Sequence, residues 1–68
     1  GAEPRRRHLL RLDLGRDDVV AFARPDGWTV VTNFGTEPVQ LPAGEVLLAS
    51  APVADGALPG EASAWLRV

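Results

Sequence analysis

The sequence predicts an all-β fold: a small antiparallel β-sandwich with Greek-key-like connections and about six short strands. Three observations support this prediction. Short apolar stretches recur at a regular spacing, and several of them alternate between apolar and polar positions. The 7 glycines and 6 prolines fall mainly between those stretches, where they favour turns. No stretch has a clear helical period, which leaves a sandwich or barrel as the expected architecture.

A change of pattern at Leu9 divides the chain. Residues 1–8, GAEPRRRH, have no apolar periodicity and are expected to form a flexible N-terminal tether. Residues 9–68 are expected to form the β-domain. Its first strand, LLRLDL, carries leucines at alternate positions with charged residues between them, as in a strand with one covered face.

The second apolar segment, DVVAFAR, allows two interpretations. A strand would place Val20 and Phe22 on one face and the alanines on the other. A short helix is the alternative, because Asp17 or Asp18 could cap it and alanine favours helices. Pro25 ends the segment too early for a stable helix, so the strand is favoured.

The tetrapeptide RPDG, residues 24–27, predicts a tight turn, since proline presets the first φ angle and glycine accepts a positive one. The turn leads into WTVVTNF, where Trp28, Val30 and Phe34 share one face. We expect that face to line the core. Phe34→Ala, and likewise loss of Phe22, is then expected to destabilise the fold severely.

The remaining predicted strands are shorter. VQL lies between two prolines, which suggests an edge position. EVLLAS, residues 45–50, is apolar at consecutive rather than alternate positions, so it offers apolar side chains to two faces. Residues 51–60 are expected to form turns, and SAWLRV is expected to form the last strand.

The second apolar face of EVLLAS predicts an exposed apolar patch on the isolated domain. The patch would contain Leu47 and Ala49 with Val31, or else Val46 and Leu48. Such a patch would favour weak self-association, because monomers rarely leave large apolar surfaces uncovered. The alternative is a single exposed leucine, which is ordinary.

The sequence predicts no catalytic residue, no cofactor and no metal site. His8 is the only imidazole; it could act as a base or a metal ligand, but a solvated histidine near a loose terminus is favoured. The aspartates fall around predicted turns and lack the spacing of a calcium loop. No buried acid pair and no phosphate-binding loop are predicted. We therefore expect no enzymatic activity from this chain on its own.

Charge and hydropathy argue against nucleic acid and membranes as partners. The net charge is -2, and the run Arg5-Arg6-Arg7 lacks the interleaved aromatics of a nucleic-acid site. No apolar run approaches the roughly 20 residues that span a bilayer. The absence of cysteine and of a signal-peptide pattern favours a cytoplasmic location.

Two tryptophans are candidates for stacking on sugar rings. Trp28 is assigned to the core with the other residues of its strand face. Trp65 faces away from Leu66, so a core or domain contact and a sugar contact both remain open, with the first favoured. We expect no functional sugar site at either tryptophan.

The ordered series DVVAFARPDGWTVVTNFGTEPVQLPAGEVLLAS, followed by LPGEASAWL, resembles the C-terminal β-domain of α-glucosidases of the α-amylase superfamily, glycoside hydrolase family 13. The actinobacterial members are the most similar in pattern. The resemblance runs from Leu9 to Val68. Oligo-1,6-glucosidases, trehalose synthases and trehalohydrolases carry similar domains, so the resemblance leaves the substrate of the parent enzyme open.

The resemblance implies architecture rather than chemistry. In such enzymes the catalytic carboxylates lie on a (β/α)8 barrel earlier in the chain, and no position here matches those motifs. The implied function is a non-catalytic C-terminal domain that stabilises an α-glucosidase by packing on the barrel of the same parent chain. The second face of EVLLAS would then meet the barrel. A carbohydrate-binding or self-associating β-module is the alternative.

Overall fold

The computed structural model describes residues 9–67, which form β-strands and loops without any helix, in agreement with the predicted all-β class. The absence of helices in this range leaves none that could cross a membrane. The predicted tether, the arginine run and His8 lie outside the described residues. Seven strands are present between residues 9 and 67: β1 Leu10–Leu12, β2 Val19–Ala23, β3 Trp28–Asn33, β4 Val39–Gln40, β5 Glu45–Ala49, β6 Ala57–Leu58 and β7 Ala62–Arg67.

The strands form two antiparallel sheets. The larger sheet has the order β1-β2-β3-β7-β5, and the smaller one pairs β4 with β6. The chain alternates between the sheets after β3, so that β7 returns to lie between β3 and β5. This crossing brings strands distant in sequence together, as the expected Greek-key-like connections require.

Strand β6 is the one element that the sequence does not predict. It lies within residues 51–60, which are expected to be turns, and pairs with β4 through Val39↔Leu58 and Gln40↔Ala57. Two residues are too few to produce a periodic pattern, so a strand of this length is indistinguishable from a turn in the sequence. Leu58 is nevertheless fully buried.

The core lies between the two sheets. The larger sheet contributes mainly small and β-branched side chains, and the second layer contributes Val39, Leu41 and Leu58. Leu12, Leu14, Ala49, Ala51 and Val53 pack around this cluster. The core residues from the larger sheet are Val19, Ala21, Val31, Ala62, Ala64 and Leu66.

The prediction of the core face of β3 was wrong. Val31 is buried, whereas Trp28 and Val30 point to the opposite side of the sheet and Phe34 is 67% exposed. The physical reason is the narrowness of the second layer, whose two strands have two residues each. Such a thin layer approaches the sheet closely where the facing residues are small, as Ala21 and Ala64 are.

A β-bulge explains why β5 is apolar at consecutive positions. Val46 pairs with Leu66 and Leu48 pairs with Trp65, so Leu47 is an additional residue in the strand. Alternation restarts after the bulge, and Ala49 lies opposite Ala64 on the core side. The bulge places Val46 and Leu48 on different faces of β5, yet both are exposed, at 38% and 64%. The predicted set of Val46 and Leu48 is therefore exposed, whereas Val31 of the other set is fully buried.

The predicted turn between β2 and β3 is confirmed. The Gly27 N–H donates to the Arg24 carbonyl oxygen at 3.1 Å, and the Arg24 N–H donates to the Trp28 carbonyl oxygen at 2.8 Å. Gly27 has a φ of +94°, a left-handed conformation that glycine adopts without steric cost. The turn fixes the register in which Phe22 lies opposite Val30.

Candidate interaction surface

All four aromatic residues of the chain lie on one side of the larger sheet, the side that faces away from β4 and β6. We call this side the aromatic face; it consists of Val20, Phe22, Trp28, Val30, Phe34, Leu48 and Trp65. Residues directly opposite each other in antiparallel strands share a face. Within residues 9–67 no second layer covers these side chains, and Phe22 and Trp65 remain 36% and 38% exposed.

The centre of the aromatic face is a row of side chains that crosses every strand of the larger sheet. The pairings that define it are Arg11↔Phe22, Phe22↔Val30, Val30↔Trp65 and Leu48↔Trp65. The β1 end of the row is the charged Arg11; the apolar members Phe22, Val30, Trp65 and Leu48 lie on four strands about 4.8 Å apart and span about 14 Å. A contiguous apolar row of this length with exposed aromatic rings is typical of an interaction surface.

Charged residues border the aromatic face at the end where β3 begins. The guanidinium of Arg67 lies over the Trp28 ring, with Cζ 5.6 Å from the ring centroid. Glu45 lies opposite Arg67 across β5 and β7. Arg24 and Asp26 form an exposed ion pair at 3.3 Å in the neighbouring turn. An apolar centre with a polar border matches the usual organisation of protein interfaces.

The other end of the aromatic face contains a hollow of about 300 Å³. The residues that line it are the aromatic Phe34, the hydroxyl-bearing Thr32, Ser50 and Ser63, the acidic Glu61, and Asn33 and Ala62. The Thr32 and Ser63 hydroxyl oxygens are 3.0 Å apart, within hydrogen-bond distance. This end is therefore polar as well as aromatic.

The best-connected charged group is a structural ion pair away from the aromatic face. Arg16 Nε and Nη2 donate to the two carboxylate oxygens of Asp18 at 3.0 Å, and Arg16 also donates to the carbonyl oxygens of Glu37 and Pro38. The hydrogen bonds from Arg16 hold the pKa of the Asp18 carboxyl below its ordinary value, against the opposing effect of burial. The group ties the β1–β2 turn to the β3–β4 loop.

The described part of the chain brings together no group of three or more histidine, cysteine or acidic side chains suited to a metal ion. The acidic residues singled out in the sequence do not converge. Asp13 accepts a hydrogen bond from the Gly15 N–H, Asp18 binds Arg16, and Asp26 pairs with Arg24. Each of these three carboxylates stabilises its own turn.

The structure brings Trp28 and Trp65 to the same face but places neither in the core. Trp28 is half-buried beneath Arg67, so its predicted assignment to the core was wrong. The prediction that Phe34, and with it Phe22, contributes to the core was also wrong, since both residues belong to the aromatic face. A signal for this was present, because Ala21, Ala62 and Ala64 alternate with larger residues and small residues suit the close approach of a second layer.

Comparison with known proteins identifies the family. Residues 3–65 match the family described as "Domain of unknown function (DUF3459)". No curated protein matches the chain. The family is known as a non-catalytic C-terminal domain of α-amylase-family glycoside hydrolases, where it is appended to the catalytic barrel. The match covers nearly the whole sequence, and the chain belongs to the DUF3459 family of C-terminal β-domains.

Proposed function

We propose that this chain is the non-catalytic stabilising domain of an α-glucosidase-type enzyme that acts on α-glucosides, and that its aromatic face packs on the catalytic barrel of that enzyme. One observation carries the proposal: all four aromatic residues lie on the sheet face that no second layer covers within residues 9–67. Family membership supplies the partner, because domains of this family accompany α-amylase-family barrels.

The size of the aromatic face supports a domain interface. Its members lie on four strands, each about 4.8 Å wide, which together span about 19 Å, and a six-residue strand such as β3 is about 20 Å long, so the face covers roughly 400 Å². Contact with a partner of matching size would bury about 800 Å² in total, which lies within the usual range of about 600–1,500 Å² for contacts between domains. Burial of aromatic rings contributes most strongly to such contacts.

The assignment to the α-glucosidase type, and to its actinobacterial branch, rests on the ordered series of residues described above. The cytoplasmic location stays a prediction from composition. We expect the 68-residue chain by itself not to hydrolyse maltose, isomaltose or an aryl α-glucoside. Turnover that co-purifies with the chain would contradict a non-catalytic role.

The gene upstream of the codon for Gly1 gives the first test. A reading frame that encodes a (β/α)8 barrel with its catalytic carboxylates supports the proposal, and a frame without one overturns it. The substrate of the expressed parent enzyme then tests the α-glucosidase assignment separately.

Trp65→Glu in that parent enzyme tests the interface. We expect a lower Tm and faster proteolysis between barrel and domain, because a charge would lie at the centre of a dry contact. The same substitution in the isolated chain should cost less, since 38% of the Trp65 side chain is already exposed there. Ala54→Glu, on an exposed loop away from the aromatic face, is the control. A Trp65→Glu enzyme with an unchanged Tm would overturn the proposed interface.

A further inference from the structure

We propose that the hollow beside Phe34 binds one pyranose ring of a neutral sugar. The hollow lies at one end of the aromatic face, so a sugar binds there only where a barrel leaves that end uncovered; the test on the isolated chain does not depend on contact with a barrel. The proposal rests on an exposed ring carried by a hydrogen-bonded backbone, on the polar residues beside that ring, and on the size and charge of the space between them.

Phe34 has a backbone fixed by the fold and a ring that stays largely exposed. Its N–H donates to the Asp18 carbonyl oxygen at 2.8 Å, which extends the pairing of β2 and β3 by one residue. The ring itself is 67% exposed and takes no part in the core. The C–H groups on one side of a pyranose ring pack well on the negative face of an aromatic ring. Phe34 therefore offers a stacking surface on a fixed backbone.

The hydroxyl groups of the hollow are already ordered. Thr32 Oγ1 lies 3.0 Å from Ser63 Oγ, and the Ser63 N–H donates to Ser50 Oγ at 2.9 Å. Each hydroxyl keeps further donor or acceptor capacity beyond these bonds. Groups that hold one another in position need little further ordering when a sugar hydroxyl binds.

Glu61 supplies a carboxylate on a constrained backbone. Its φ of +57° is unusual for a residue with a side chain, and its N–H donates to the Gly35 carbonyl oxygen at 3.0 Å. This bond links Glu61 to the residue that follows Phe34. Among the ion pairs within residues 9–67 none involves Glu61. A carboxylate accepts strong hydrogen bonds from sugar hydroxyls.

Size and charge select the ligand class. A volume of about 300 Å³ is at the lower end of small-molecule sites, which range from about 300 to 1,000 Å³, so it suits a single ring rather than a long oligosaccharide. The residues that line the hollow include one carboxylate and no arginine, which disfavours phosphates and other anions. A neutral sugar with adjacent hydroxyl groups fits both conditions.

Titration of the isotope-labelled 68-residue chain with isomaltose, maltose and glucose, followed by NMR, tests the proposal. We expect saturable shifts of the Phe34, Gly35 and Ser63 amides with a Kd in the range of about 1–10 mM, typical of a small shallow site. Glucose 6-phosphate and the open-chain polyol sorbitol should bind at least tenfold more weakly. Equal shifts with sorbitol, or no saturation with any sugar, would overturn the proposal.

Three variants localise the effect. Phe34→Ala should abolish saturation without unfolding the chain, and Glu61→Gln should weaken binding several-fold by removing the charged acceptor. Phe22→Ala removes another ring of the same aromatic face and should leave the Kd unchanged. Loss of binding in Phe22→Ala but not in Phe34→Ala would move the sugar to the central row and overturn this assignment. None of these outcomes decides whether the central row packs on a barrel.

Discussion

Asn33 connects three segments of the chain through a side chain that is fully buried. Its Nδ2 donates to the carbonyl oxygen of Glu37 at 2.8 Å, with longer contacts to those of Leu58 and Pro59, and its Oδ1 accepts from the Gly35 N–H at 2.9 Å. Gly35 has no room for a side chain, because a Cβ there would overlap the Asp18 carboxylate. In the consecutive residues Asn33, Phe34 and Gly35, the first is a buried side chain that connects separate segments, the second is an exposed ring, and the third lies in close contact with Asp18.

Replacing Asn33 by alanine is expected to lower the free energy of unfolding by about 1–3 kcal/mol, since buried carbonyl oxygens and the Gly35 N–H would lose their partner. Urea denaturation followed by tryptophan fluorescence measures the change. Gln40→Ala is a matched control, because this amide also donates to a carbonyl oxygen, that of Gly56, but is exposed. A loss for Asn33→Ala no larger than for Gln40→Ala would contradict the role as a connector.

The ion pair of Arg16 and Asp18 predicts a dependence of stability on pH. The pKa of Asp18 in the folded chain is lowered from its ordinary value of 3.8, first by the hydrogen bond from Arg16. A carboxyl with a lowered pKa stabilises the fold above pH 3.8, and this contribution is lost as the pH falls through the folded-state value.

The parent chain is expected to lose stability as the pH falls from about 5 to about 2, a window that surrounds the ordinary pKa of an aspartate. Asp18→Asn should lose less stability over this window, because it removes the titrating carboxyl. Arg16→Gln should flatten the same part of the profile, because it removes the partner that lowers the pKa. The measurement is the urea midpoint at each pH. A profile for Asp18→Asn that parallels the parent throughout would show that the pair does not contribute.

At the scale of elements, β5 and β7 form an edge of the larger sheet that packs on the core on one side and is exposed on the aromatic face on the other. Leu66 of β7 is fully buried, while Leu48 of β5 is 64% exposed on the aromatic face. The bulge at Leu47 lets β5 follow β7: Ala49, opposite Ala64, packs against the core, while Val46, opposite Leu66, remains 38% exposed. Bulges near an edge also discourage pairing with further strands.

Leu66→Ala is expected to cost about 2–5 kcal/mol, because it leaves a cavity between the two sheets. That amount is comparable with the whole stability of so small a domain. Leu48→Ala removes the same atoms from the aromatic face and should change the free energy of unfolding by about 0.5 kcal/mol or less. Similar losses in both variants would mean that both faces are buried within this chain.

For the whole molecule, the distribution of apolar side chains predicts weak self-association of the isolated chain through its aromatic face. Sedimentation at increasing concentration should show a rising average mass. Leu48→Glu should suppress this rise and leave the chain folded, since Leu48 is largely exposed. Ala54→Glu adds the same charge away from the aromatic face and should retain the association. Equal suppression by both variants would indicate a general effect of charge rather than a specific surface.

The sequence predicts that an exposed apolar patch exists, but it does not predict which residues form it. The sequence has more apolar strand faces than one small core can cover, which already indicates a patch, and the exposed residues Val46 and Leu48 form one of the two predicted sets. The aromatic members were assigned to the core instead, because large side chains are ordinarily the ones that a core buries. The hollow at Phe34 depends on residues from three separate segments, and no local pattern indicates such a combination.

The sequence by itself determined the class of fold, most of the strands, and the turn at Gly27. It did so because alternation with period two and the φ preferences of glycine and proline are local properties. Only the tertiary structure decided which side of each strand is covered. Alternation with period two shows which residues share a face of a strand, but it does not show which of the two faces is buried. That depends on where the second layer packs. Here that layer is a pair of two-residue strands, so the face with alanines is buried and the face with the aromatic rings remains open.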